Sequence, residues 1–301
     1  MDRRQFIQLL TASSLVHISN LEAALSLDDV KGRSNSIVGL DVSKLELKIA
    51  NQSISSFLRH GISRGGNQKL LPVEDRAANQ AIREIAMPIF ASSTRKNLKW
   101  HVLLGESRHF TSGAVNAFTP GGGVIFIQTG LIKACNSEVE LAAVIAHEVG
   151  HIEYKHAIRR MMAAQLLKQY GLSVNLNKLD LTQRYINSGG QIGFQFLMSI
   201  SNEILFKGFT RLWEYEADAF ILRAFQYAGY NVNDASKFFY QLLAPGAGNG
   251  QLGRFGTCLF VSHPETLERI KRIDAIAKSM QNTVTTKMDS KNFNYLKQKF
   301  N

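Results

Sequence analysis

The chain has 301 residues, 45% hydrophobic and 20% charged, enough for one sizeable core with leader and tail segments beside it. Its formal net charge of +11 comes from 35 Lys and Arg against 24 Asp and Glu, spread without a long basic run, so charge alone selects no partner and no nucleic acid is expected. Cys135 and Cys258 are the only cysteines, which excludes a thiolate metal site and a disulfide scaffold and leaves either one disulfide or two separate thiols.

In chain order, Arg3 and Arg4 precede a moderately apolar stretch through Ile18, which resembles a bacterial twin-arginine export signal, and residues 1–25 are read as that signal. The periplasm or the exterior is then the expected location. The alternative is an amphipathic helix that stays attached, packed on the domain or lying on a membrane, in a cytoplasmic or peripheral membrane protein. Residues 26–71 are polar, with a short alternation at Leu45, Leu47 and Ile49, and read as leader or linker. Residues 72–280 hold the folded domain, and residues 281–301 read as a polar, solvated tail.

A helix is expected over 74–90, with Ala78, Ile82, Ile85 and Ile89 on one face and Pro88 disturbing its last turn. Residues 100–104 and 124–127 read as strands of a small sheet, and the turn Pro120-Gly121-Gly122-Gly123 precedes the second. Ser137 and Glu140 form a capping box for a helix that runs past His151 toward Arg159. Helical patterns follow over 161–206, interrupted near Gly189, and over 209–228, where Gly229 supplies the stop. Five glycines within 245–256 predict a mobile loop that partly covers a site. His263 and Pro264 open a last helix with Leu267, Ile270, Ile273 and Ile276 on one face. No stretch of 18 apolar residues is present, so a spanning helix is not expected.

His147-Glu148-Val149-Gly150-His151 sets two imidazoles four residues apart on a helix, about 40° apart in projection, so both reach one metal ion. Zinc with three protein ligands and an open position acidifies a water, and Glu148, beside the first ligand, is placed to take its proton and deliver it to a leaving amine. The apolar run Leu141 to Ala146 implies a buried helix, in which His and Glu need partners such as a metal. A third ligand six residues beyond His151 is ruled out, because that position is Ala157; His156 lies about 140° around a continuous helix and points elsewhere. A carboxylate from another helix remains. Glu214 and Asp218 share one helical face while Glu216 points roughly opposite, so Glu214 is available to bind zinc and Asp218 to accept the N–H of a histidine ligand.

Several motifs together carry a family resemblance: Asn116-Ala117-Phe118 with Pro120-Gly121-Gly122, the run from Glu138 to His151, Glu214-x-x-Ala217-Asp218, and His263-Pro264 with Arg269-Ile270. Over residues 74–277 the chain resembles the gluzincin metallopeptidases that include the CaaX prenyl proteases, HtpX-like proteases and the periplasmic BepA and LoiP proteases. That resemblance implies an α+β, mainly helical, zincin-like domain with a small sheet packed on the motif helix. It also implies one Zn2+ per chain on His147, His151 and Glu214, with Glu148 as base and Asp218 behind a ligand. Asn116, Ala117 and Phe118 would be the edge to which an extended protein or peptide substrate adds as a strand. His263 and Arg269 match a late His and Arg that stand near the metal in such proteins. His263 either occupies the open zinc position at rest or donates to the oxyanion, with Arg269 supplying positive charge; a capping His and a surface Arg is the plainer reading. The expected activity is a metalloendopeptidase acting on misfolded or misassembled cell-envelope proteins. The competing expectation is a zinc-stabilised chaperone or binding protein, which has no use for a carboxylate such as Glu148 beside an open zinc position.

Overall fold

The structure, a computed structural model, describes residues 42–63, 69–108, 115–160, 207–243, 266–280 and 287–301. Its strands are β1 (Ile62–Ser63), β2 (Lys69–Pro72), β3 (His101–Arg108), β4 (Ala117–Gly121) and β5 (Val124–Gln128). They form one sheet in the order β1-β2-β3-β5-β4, with β3 and β5 parallel and every other neighbouring pair antiparallel. β5 is buried along its whole length. Ile125 and Ile127 enter the main core, while Val124 and Phe126 meet Phe57, Leu70 and Phe118 on the other face. Alternate residues of a strand point to opposite faces, so a strand covered on both sides reads as an unbroken apolar run.

The helices are α1 (Val42–His60), α2 (Arg76–Ala91), α3 (Thr129–Ala134), α4 (Glu138–Glu153), α5 (Lys207–Ala228), α6 (Lys237–Leu243), α7 (Thr266–Ser279) and α8 (Lys291–Phe300). The main core joins α2, α4, α5 and α7 to one face of the sheet. β4 lies against α4, which gives the expected α+β arrangement of a small sheet on the motif helix. Asp75 caps α2 through its side chain, accepting from Ala78 N at 2.9 Å, and Pro88 is accommodated inside that helix.

Four sequence expectations are corrected. Within the stretch 26–71 expected to be leader or linker, the described residues 42–63 and 69–71 are structured: α1 covers the second face of the sheet, with Glu46, Ile49, Ala50 and Phe57 buried at helical spacing and Leu47 exposed. Buried Glu46 accepts a paired hydrogen bond from Arg95 at 2.8 and 2.7 Å and the Gly122 N–H at 2.9 Å. Gly122 has φ 62°, and a Cβ there would stand 2.5 Å from the Ala50 Cβ, so the glycine turn both needs its conformation and seats α1.

The end of the chain is no solvated tail either, since α8 buries Phe293 and Leu296 in the main core. The preceding Asp289 accepts the Glu138 N–H at 2.7 Å and so caps α4, whereas Ser137 makes no side-chain cap bond. Buried Glu138 in turn accepts from Tyr230 Oη at 2.7 Å and Ser290 N at 3.0 Å. The third correction concerns the length of α4, which ends at Glu153; Lys155 adopts φ 56° and a separate helical turn follows over 156–160. The fourth is in α7, where Ile270 and Ile273 are buried but Leu267 and Ile276 are exposed. Steps of three residues drift by about 60° each, so the buried face runs through 269, 270, 273 and 277 instead. Among the described residues no helix is long and apolar enough to cross a membrane, and Cys135 is a free, buried thiol. Cys258, the segment 245–256, the whole of 161–206 and the export-signal region lie outside the described residues.

Candidate metal centre

His147, Glu148 and His151 sit mid-way along α4 and are buried, at 3%, 1% and 7% exposure. α5 packs closely on this helix where Gly150 faces Ala217. A Cβ on Gly150 would stand 2.8 Å from the Ala217 Cα and 3.0 Å from the Ala217 carbonyl oxygen and the Phe220 Cβ. Backbone atoms cannot swing aside as a side chain does, so the absent Cβ sets the gap between the helices. That gap brings Glu214 to the two histidines.

The ligand atoms converge. His147 Nε2 is 3.0 Å from His151 Nε2 and 3.2 Å from Glu214 Oε2, and His151 Nε2 is 3.5 Å from Glu214 Oε1. Tetrahedral zinc with bonds of about 2.0–2.1 Å separates its ligands by roughly 3.3–3.4 Å, a value that lies within the spread of this triangle. Two imidazole nitrogens and a carboxylate, all buried, are also a donor set that zinc prefers, and they form the one such cluster among the described residues.

Behind His147, its Nδ1 lies 3.0 Å from Asp218 Oδ1. Arg269 clamps the same carboxylate, with Nε to Oδ2 at 2.8 Å and Nη2 to Oδ1 at 2.7 Å, and its Nη1 reaches Glu214 Oε2 at 3.2 Å. The guanidinium also stacks over the Phe239 ring at 4.8 Å. Burial raises the Asp218 pKa, but Arg269 and His147 outweigh it and hold the carboxyl below its ordinary value. At His147 burial favours the neutral ring, yet Asp218 and Glu214 prevail and push the metal-free pKa up to about 9. Zinc therefore enters in exchange for a proton. Arg269 is 1% exposed and engaged with two carboxylates, so it is not the surface arginine of the plainer reading.

Behind His151 stands a residue that a continuous-helix extrapolation sends elsewhere. The left-handed turn at Lys155 brings His156 back, with Nδ1 2.7 Å from His151 Nδ1. His156 Nε2 meets Glu216 Oε2 at 2.8 Å, and Arg159 Nη1 donates to the same oxygen at 3.1 Å. Burial pulls the His156 pKa down to about 4, against the pull of Glu216. Glu216 does point away from Glu214, as its helical position requires, and it thereby meets His156. Spacing offers no signal for this contact; a local breaker at Lys155 is what would have been needed.

Of the remaining expected site residues, Asn116 is buried just before β4, Ala117 pairs with Ile127, and Phe118 pairs with Phe126. β4 is the last strand of the sheet on the side that lies against α4. His263 lies outside the described residues.

Comparison with known proteins gives the same location. A family model described as peptidase family M48 matches residues 75–277. The mitochondrial metalloendopeptidase OMA1 of Schizosaccharomyces pombe is 27% identical over 193 residues, 64% of this chain and 51% of the relative. The CAAX prenyl protease 1 homolog of Arabidopsis thaliana is 27% identical over 223 residues, 68% of this chain and 49% of the relative. The beta-barrel assembly-enhancing protease of Yersinia pestis is 24% identical over 170 residues, 56% of this chain and 34% of the relative. The chain thus spans about half or less of the length of these relatives. Since the matched stretch runs from the cap of α2 to the buried Ala277 of α7 and encloses all three ligands, the chain belongs to peptidase family M48, with its zinc on His147, His151 and Glu214.

Proposed function

We propose that this metallopeptidase is exported and cleaves misfolded or misassembled proteins of the cell envelope, with Glu148 as general base. The observation that carries the chemistry is the burial of Glu148, at 1% exposure, on α4 next to a ligand triangle of zinc dimensions. Held by His147, His151 and Glu214, zinc would supply Lewis acidity toward a peptide carbonyl and a water. Glu148 takes the proton from the attacking water and returns it to the leaving nitrogen. Asp218 accepts from His147 Nδ1 and Arg269 holds Asp218, so both act as positioning residues. The place of β4 at the end of the sheet and beside α4 supports Asn116, Ala117 and Phe118 as the edge that an extended substrate joins. Support for the envelope comes from the arginine pair at the N-terminus and from similarity to beta-barrel assembly-enhancing proteases.

Glu148→Gln tests the base: zinc stays near one per chain while cleavage of casein and of an unfolded outer-membrane β-barrel protein falls by about 10²–10⁴-fold. Retained turnover would remove Glu148 from the mechanism. For the location, the mature chain is sequenced from its N-terminus after cell fractionation. An intact Met1 in the cytoplasmic fraction counts against export.

A further inference from the structure

His156, Glu216 and Arg159 take no part in the reaction just described, yet they form an unbroken line of contacts that ends on a zinc ligand. His151 Nδ1 and His156 Nδ1 are 2.7 Å apart, and His156 Nε2 is 2.8 Å from Glu216 Oε2. The His156 ring is also fixed in orientation, stacked against Tyr154 at 5.8 Å and 27° and against Trp213 at 5.5 Å and 15°. Arg159 spans the assembly, donating to Glu216 and lying over the Trp213 ring at 5.4 Å.

These contacts constrain the protons. A histidine that gives Nε2 to zinc carries its hydrogen on Nδ1 and needs an acceptor for it. With both rings neutral, a single arrangement satisfies both contacts: His151 Nδ1–H donates to His156 Nδ1, and His156 Nε2–H donates to Glu216. We propose that His156 is a positioning residue that fixes the tautomer and tilt of His151 by this relay, so that the Nε2 lone pair is held toward zinc. The relay does for His151 what Asp218 does for His147, with an imidazole interposed between ligand and carboxylate. It rests on the zinc site but on neither the substrate class nor the role of Glu148.

The full-length chain tests this with three variants. His156→Phe keeps a ring between Tyr154 and Trp213 but offers no acceptor. His156→Asn restores an acceptor near the Nδ1 position, and Glu216→Gln weakens the far end. Zinc affinity, measured by competition with a chromophoric chelator, falls about 10–100-fold in His156→Phe and less in His156→Asn and Glu216→Gln. Adding Glu216→Gln to His156→Phe brings no further loss, because the relay is already cut. In the cobalt-substituted protein, the visible absorption bands of His156→Phe shift while those of His156→Asn stay close to wild type. Wild-type affinity with an unchanged cobalt spectrum in His156→Phe overturns the relay. So does an equal loss in Phe and Asn variants that tracks the melting of the chelator-treated protein, which marks a packing role only. If His156→Phe does not fold, Glu216→Gln decides, and unchanged zinc affinity there overturns the proposal. A wild-type chain that binds no zinc would instead sink the metal centre itself.

Discussion

The two histidine ligands share one helix and one coordinating atom, but the regions behind them are built differently. Behind His147 lie Asp218 and Arg269, a paired hydrogen bond between full charges at 3% and 1% exposure. Behind His151 lies the His156 ring, and the charge that supports it, Glu216, is set further back with its side chain 38% exposed. The first region derives its hold from desolvated electrostatics, which is strong when complete and costly when any member is missing. The second derives it from ring stacking and a neutral hydrogen bond, with charge in a screened position. One ligand is therefore rigid at the expense of fragility, while the other tolerates damage better.

The largest test of that contrast is Arg269→Leu. Removing the guanidinium strips Asp218 of its paired hydrogen bond and Glu214 of one ion pair, leaving two buried carboxylates to share His147, a loss of about 3–5 kcal/mol. Chemical denaturation of the metal-free protein measures it, and added zinc recovers part of the loss by restoring positive charge at Glu214. A change below about 1 kcal/mol would mean that water reaches these carboxylates, and the region would no longer count as desolvated.

A smaller test compares the two carboxylates. Asp218→Asn weakens zinc binding by about 10–100-fold, because the partner of His147 Nδ1 loses its charge. Glu216→Gln weakens it by about two- to tenfold, being one ring further from the metal. Raising ionic strength to about 0.5 M shrinks the Glu216 effect and leaves the Asp218 effect nearly intact, since only the former is open to screening. Equal salt sensitivity of the two would erase the distinction between the regions.

The asymmetry also marks how far the sequence could be read. His147, Glu148 and His151 declare themselves by spacing on an apolar helix, whereas the shared helical face of Glu214 and Asp218 makes them available and the family resemblance singles them out. The supports are legible only where that geometry continues. His156 is misplaced by extrapolating α4 through Lys155, whose φ of 56° a lysine does not announce as a glycine would. The cap of α4 is misassigned for a different reason: Asp289, some 150 residues away in sequence, occupies the position that Ser137 is suited to fill. α1 escapes notice because its buried stripe includes Glu46, a charge whose partner Arg95 and turn Gly122 appear only once the chain is folded. In each case a local pattern is overruled by a contact distant in sequence.

The smallest effect is expected of Lys155→Gly, and its comparison with Lys155→Val separates the turn from the residue that the turn delivers. A lysine in the left-handed region costs about 1–2 kcal/mol relative to ordinary helix, and glycine adopts that conformation freely but surrenders more chain entropy on folding. The two terms nearly offset, so Lys155→Gly changes stability by less than about 1 kcal/mol and leaves zinc affinity alone. Lys155→Val is the informative partner, because a β-branched side chain is poorly accommodated at positive φ and pushes the chain toward continuing α4. A continued helix would carry His156 about 140° away from His151, where no hydrogen bond is possible. Lys155→Val is therefore expected to lose about 1–3 kcal/mol of stability and, with it, the zinc affinity that His156 supports. Denaturation and chelator competition on the same samples check both. If Lys155→Val lost stability while zinc affinity held, the left-handed turn would not be what aims His156, and the support of His151 would have to come from the stacking of Tyr154 and Trp213 alone.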